Sequence, residues 1–152
     1  MEACLDKDIV IAVDLDGTLT SSDTLHESIL CVLRDNLRNV LALPFWMFQG
    51  GAAFKSKVAD LVTLDVTMLP YNVALINWLQ EERAAGRTIV LCTAAEERLA
   101  EAVASHLGFF DEVIATKGGV DNEGVTKRAT LEEKFGIKGY DYAGNSEADL
   151  EV

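Results

Sequence analysis

The chain has 152 residues, 49% of them hydrophobic and 25% charged, with 25 Asp and Glu against 13 Lys and Arg for a formal net charge of −12. That length suits a single domain with one proper core. The acidic balance argues against nucleic acid as a partner, because gripping a phosphate backbone needs clustered Lys and Arg, but it is compatible with a small phosphorylated substrate held by backbone amides and a metal.

The first element is "DIVIAVDLD", a continuous apolar run of strand length that predicts a central strand buried on both faces. It ends on Asp14 and Asp16, followed by Gly17. The interval from Ser21 to Arg87 does not read as a simple crossover. It holds "TLHESILCVLRDNL" with Asp23 or Thr24 as a helix cap, then "NVLALPFWMFQGGAAF" (39–54), then "GAAFKSKVADLV", and after Pro70 a helix over Val73 to Ala85. The stretch 39–54 is too short to span a bilayer and is interrupted by Pro44 and by Gly50-Gly51. It is expected to be a helix buried against its own domain, with a surface resting on a membrane or a membrane-embedded partner as the alternative.

A second strand is predicted at Thr88 to Cys92, with Thr93 at its carboxyl end and a helix beginning near Ala94 or Ala95. Leu99, Val103 and Leu107 then form one apolar stripe, stopped by Gly108. "FDEVIATK" gives a third strand, "GVTKRATLEEKFG" a helix ending at Gly136, and "GYDYAGNS" a fourth strand ending at Gly144. Strands alternating with helices predict an α/β fold, a Rossmann-like parallel sheet flanked by helices. Residues 1–20 and 71–152 would form this core, and 21–70 a small helical cap inserted after the first strand. In such sheets ligands gather at the carboxyl ends of the strands, where Asp14, Asp16, Thr93, Asn145 and Asp149 converge.

The chemistry these residues suit is phosphoryl transfer. Asp14 would act as nucleophile and Asp16 as its acid–base partner. Gly17 permits the sharp turn and close approach of phosphoryl oxygens to backbone amides. The Thr93 hydroxyl and amides near Ala94 would hold a phosphate oxygen. Lys127 would supply positive charge, and Asn145 and Asp149 oxygen ligands for Mg²⁺. Each has a plainer reading: acids capping a strand, a threonine capping a helix, a solvated lysine, a polar turn. Asp23, nine residues after Asp14, could read a group on the substrate or simply cap a helix. Cys4, Cys31 and Cys92 show no CxxC spacing and read as reduced thiols, and His26 and His106 are isolated, so no zinc site is expected. The first residues lack the pattern of a signal peptide, so the expected location is the cytoplasm.

Together, "DLDGTLT", "LCTAA" and "GNSEAD", in that order, resemble the motifs of the haloacid dehalogenase superfamily of aspartate-nucleophile phosphohydrolases. The resemblance implies Mg²⁺ held by the Asp14 carboxylate, the Asp16 backbone carbonyl and the acids of "GNSEAD", where Asn145 replaces the first acid and predicts weaker metal affinity. It requires a lysine that Lys127 or, failing it, Lys117 would provide; Glu123 stands where some relatives carry one. "LPYNVALINWLQEERAAGR", "AEAVASHLGFFDEVIAT" and "YDYAGNSEADLEV" are also similar to the phosphatase-like domain fused ahead of UbiA-type polyprenyl transferases. That similarity implies a fragment of a longer chain, at the cytosolic face of the membrane beside a membrane-embedded prenyltransferase domain. Three functions compete: a Mg²⁺-dependent phosphatase, a non-catalytic regulatory or docking domain that keeps the fold, and a dehalogenase, which would need neither Asp16 nor a metal.

Overall fold

A computed structural model describes residues 9–35, 41–118, 120–145 and 152. Four strands, β1 (Val10–Val13), β2 (Ile89–Glu96), β3 (Glu112–Thr116) and β4 (Tyr140–Ala143), form one all-parallel sheet in the order β3-β2-β1-β4. The Rossmann-like α/β expectation is met. The two strands richest in apolar residues lie in the centre, where both faces need cover. Ile11, Val13, Ile89 and Leu91 face one layer, with Leu79 of α4 (Val73–Ala84) and Ala100 and Val103 of α5 (Glu97–Leu107). Val10, Ala12, Val90 and Cys92 face the other, covered by Leu131 and Phe135 of α6 (Val125–Phe135).

Between β1 and α4 lie α1 (Thr24–Asp35), the short α2 (Leu43–Met47), α3 (Gly51–Leu61) and a 3₁₀ turn, Val66–Met68. These helices have their own small cluster, in which Val32, Phe54 and Val58 are buried among Leu25, Ile29, Leu43, Trp46 and Val62. The chain leaves and rejoins the sheet at neighbouring points. Ser21 N donates to Pro70 O at 2.9 Å and Asn72 N to Leu19 O at 2.8 Å.

Two elements differ from expectation. The stretch 39–54, of which 39 and 40 lie outside the described residues, is not a buried helix. Pro44 falls in the first turn of α2, where its missing N–H costs nothing, and the left-handed Gly50 (φ 102°) separates α2 from α3. A five-residue helix presents too little face to bury: Leu43 and Trp46 turn inward, while Leu41, Phe45, Met47 and Phe48 are 86, 66, 65 and 90% exposed. The second strand runs on past Cys92 to Glu96, and its helix starts later, at Glu97. There the Thr93 hydroxyl accepts from Ala95 N at 3.0 Å, the pairing with β3 slips between Cys92 and Glu96, and the Glu96 carboxylate caps α5 through Arg98 N.

Candidate active site

Strand alternation places the centre of the site. Asp14 continues the even-numbered side of β1, the side that Val10 and Ala12 turn toward α6. On α6, Lys127 lies one turn before Leu131 and two before Phe135, so the stripe that seals this layer ends in an ammonium facing Asp14. Lys127 Nζ donates to Asp14 Oδ1 at 3.0 Å and to the Tyr142 hydroxyl at 2.7 Å, with the lysine and aspartate side chains only 4 and 10% exposed. Lys117 plays no such part. It is 72% exposed and pairs with Glu97 at 2.7 Å. Of the two candidate lysines, the structure brings Lys127, not Lys117, to Asp14.

Asp16 sits beyond the strand end, where Oδ1 accepts from Thr24 N at 2.7 Å at the start of α1. Burial pushes its carboxyl above the ordinary aspartate range, against the opposing pull of the Thr24 amide. A carboxyl that keeps its proton to higher pH is what a general acid needs. Gly17 has φ +73°, and a Cβ there would fall on the Asn145 side chain. Asn145 is thereby placed against the loop of the two aspartates, while β4 hydrogen-bonds β1 at the same level, Asp14 N to Ala143 O at 2.9 Å. Asp149 and Cys4 lie outside the described residues.

Thr93 is fully buried at this edge, but its hydroxyl oxygen is engaged by Ala95 N and its carbonyl by Asn122 Nδ2 at 3.0 Å. The helix-start geometry expected at Ala94 is therefore a strand irregularity, with Ala94 lining the cavity described below. Asp23 is the cap of α1: Oδ1 accepts from Leu25 N at 2.9 Å and His26 N at 3.0 Å. It also lines the cavity, so both of its readings are geometrically open.

Several partners in the site carry no recognisable motif. Lys55 of α3 donates to Ala94 O at 2.9 Å and to Asp121 Oδ1 at 2.7 Å. Thr116 Oγ1 lies 2.8 Å from the same carbonyl and accepts from Asn122 N at 3.0 Å. This polar cluster joins the helical segment to the ends of β2 and β3. Lys55 and Asp121 come together only in the folded chain, and no spacing in the sequence announces them, whereas the four-residue spacing of Lys127, Leu131 and Phe135 is a signal that the sequence carries.

Over the aspartates and Lys127 opens a cavity of about 580 Å³, walled by α1, α3 and α5. The oxygens at this edge, from the Asp14 carboxylate, the Asp16 carbonyl and the Asn145 amide, are hard donors that suit Mg²⁺ rather than a soft metal. Among the described residues no group of three His, Cys, Asp or Glu side chains is placed to hold an ion. Among the same residues no helix is long and apolar enough to cross a membrane.

The haloacid dehalogenase-like hydrolase family model matches residues 54–152. An uncharacterised protein, y4nM, of Sinorhizobium fredii is 35% identical over 150 residues, which are 98% of this chain and 29% of that protein. The chain thus spans less than a third of that relative's length. Solved structures share the fold at low identity. A haloacid dehalogenase family hydrolase of Salmonella enterica serovar Typhi has a TM-score of 0.66 at 14% identity, over 97% of this chain and 60% of that one. A substrate-bound phosphoserine phosphatase has 0.62 at 16%, over 96 and 81%. A predicted phosphoglycolate phosphatase from Haemophilus somnus has 0.61 at 17%, over 97 and 81%. With residues 54–152 matched by the family model and the parallel four-strand sheet shared with these structures, the chain belongs to the haloacid dehalogenase-like hydrolases.

Proposed function

We propose that the chain is a Mg²⁺-dependent phosphohydrolase that acts on a small phosphomonoester through a phospho-aspartate. The observation that carries this is the buried Lys127–Asp14 pair beneath the cavity. With the Lys127 ammonium against Asp14 Oδ1 at 3.0 Å, the Asp14 carboxylate attacks phosphorus as the nucleophile. As the P–O bond to the leaving group breaks, Asp16 gives its proton to the departing oxygen. Asp16, now a carboxylate, takes a proton from water as that water attacks the acyl phosphate, releasing inorganic phosphate and restoring Asp14. Lys127 and the amides about Gly17 and Ala94 meet the charge on the phosphoryl oxygens. Asp14, the Asp16 carbonyl and Asn145, with Asp149, would hold Mg²⁺, whose role when bound is to neutralise phosphoryl charge. Residues 21–70 serve as the cap.

The test is turnover of p-nitrophenyl phosphate with Mg²⁺. Asp14→Asn abolishes it, and a variant as active as the parent chain would refute the nucleophile. Asn145→Asp tightens Mg²⁺ binding, read by titration calorimetry.

The exposed apolar side of α2 supports a second, compatible reading: the domain rests against a membrane-embedded prenyltransferase, with a link to polyprenyl metabolism. A non-catalytic version of that docking role predicts no joint binding of Mg²⁺ and BeF₃⁻, which calorimetry reads directly.

A further inference from the structure

We propose that the cavity selects phosphomonoesters whose leaving alcohol is apolar and carries no second anionic group. The inference rests on the phosphatase reading and names its substrate class. Much of the cavity wall is hydrocarbon: Leu25 of α1, Val58 and Val62 at α3, Leu64, and Leu99 and Ala102 of α5. Asp14 lines the same cavity, so a leaving group on a phosphorus bound there enters the chamber that these side chains wall.

The charges in the lining point the same way. Among the described residues three cations border the cavity, and each is engaged by a carboxylate of the protein. Lys127 is bound to Asp14 at 3.0 Å. Lys55 is held between Asp121 and the Ala94 carbonyl. Arg98 reaches Asp60 at 2.7 Å and Glu96 at 2.8 Å, and also Ser56 O at 3.2 Å. A substrate carboxylate would have to take one of them from its partner. It would also face Asp23, Glu96 and Glu123, which line the same space. Phosphoglycolate and phosphoserine both carry such a carboxylate, so this chamber disfavours them while accepting an alkyl chain of the same reach.

The experiment is a substrate series on the full chain with Mg²⁺: ethyl, butyl and hexyl phosphate, phosphoglycolate, phosphoserine, and p-nitrophenyl phosphate as a general probe. The expected kcat/KM rises roughly fourfold for each methylene that enters the wall, and phosphoglycolate falls at least about tenfold below butyl phosphate, the loss expected when a buried charge finds no partner. Val62→Asn and, separately, Leu99→Asn compress the hexyl-to-ethyl ratio in whichever variant keeps the parent melting temperature. A flat alkyl series, or a preference for phosphoglycolate or phosphoserine, overturns the substrate class while leaving the phosphatase intact. Failure to turn over any of these esters, p-nitrophenyl phosphate included, overturns the phosphatase reading and this one with it.

Discussion

The end of β1 and the helical segment after it are joined by a few residues, yet they are built on opposite principles. At Asp14 a carboxylate and an ammonium are held almost free of water, each the other's justification, on a sheet covered on both faces. Among the described residues of the helical segment, Val32, Phe54 and Val58 are the large apolar residues buried in its own cluster, and α2 with its flanking residues Leu41 and Phe48 leaves four large hydrophobics in solvent. The contrast divides the labour: the sheet end holds the buried charged groups, while the helical segment walls the cavity above them like a roof over a floor.

The floor gives the largest effects. Removing the ammonium with Lys127→Met takes a cationic partner from the buried Asp14, which costs on the order of 3–5 kcal/mol of stability and lowers kcat by about 10²–10³-fold. Adding Asp14→Asn to that variant restores most of the stability, by denaturant titration, and none of the activity. If the single variant melts like the parent chain, the pair is not a buried one. Gly17→Ala ranks next. It forces an L residue into φ +73° and drives a methyl into Asn145, so stability falls by more than about 1 kcal/mol. Asn145→Ala in the same chain relieves the collision but not the backbone strain, so recovery is partial.

Legibility follows the same divide. Strand positions, sheet class and the carboxyl-edge location of Asp14 and Asp16 could be read because parallel strands write their burial as unbroken apolar runs. Lys127 could be placed by extending the Leu131–Phe135 stripe back one turn. The start of α5 was misplaced because Ala94 and Ala95 are good helix formers, yet the turn closed by the Thr93 hydroxyl and the slip against β3 hold them extended. The stretch 39–54 was misjudged because hydrophobicity alone does not say which side a short helix hides. Lys55 and Asp121 were invisible, since their meeting depends on how α3 crosses the end of β2.

That meeting is also where roof and floor are tied. Lys55→Met or Asp121→Asn cuts the same link from either side, with partly exposed side chains, so the stability cost is about 1 kcal/mol or less. The functional effect is larger: KM for p-nitrophenyl phosphate rises several-fold while kcat changes less, and amides of α3 exchange faster than those of β1. Equal protection of α3 and β1 in Asp121→Asn would mean the roof is held elsewhere.

The smallest effect on stability is expected at the outer side of α2. Phe45→Ser with Phe48→Ser removes two rings that touch water rather than core, so unfolding free energy changes by no more than about 0.5 kcal/mol. A loss of 2 kcal/mol or more would show instead that α2 belongs to the packed core. Hydrophobic side chains that contribute nothing to folding still expose apolar area, the kind of surface that the proposed docking would cover. The same double variant therefore separates folding from docking. If α2 rests on a bilayer, the parent chain sediments with liposomes and the variant stays in solution at equal stability. Net charge −12 opposes that contact on anionic lipid, so binding should be stronger on neutral vesicles and strengthen with added salt on anionic ones.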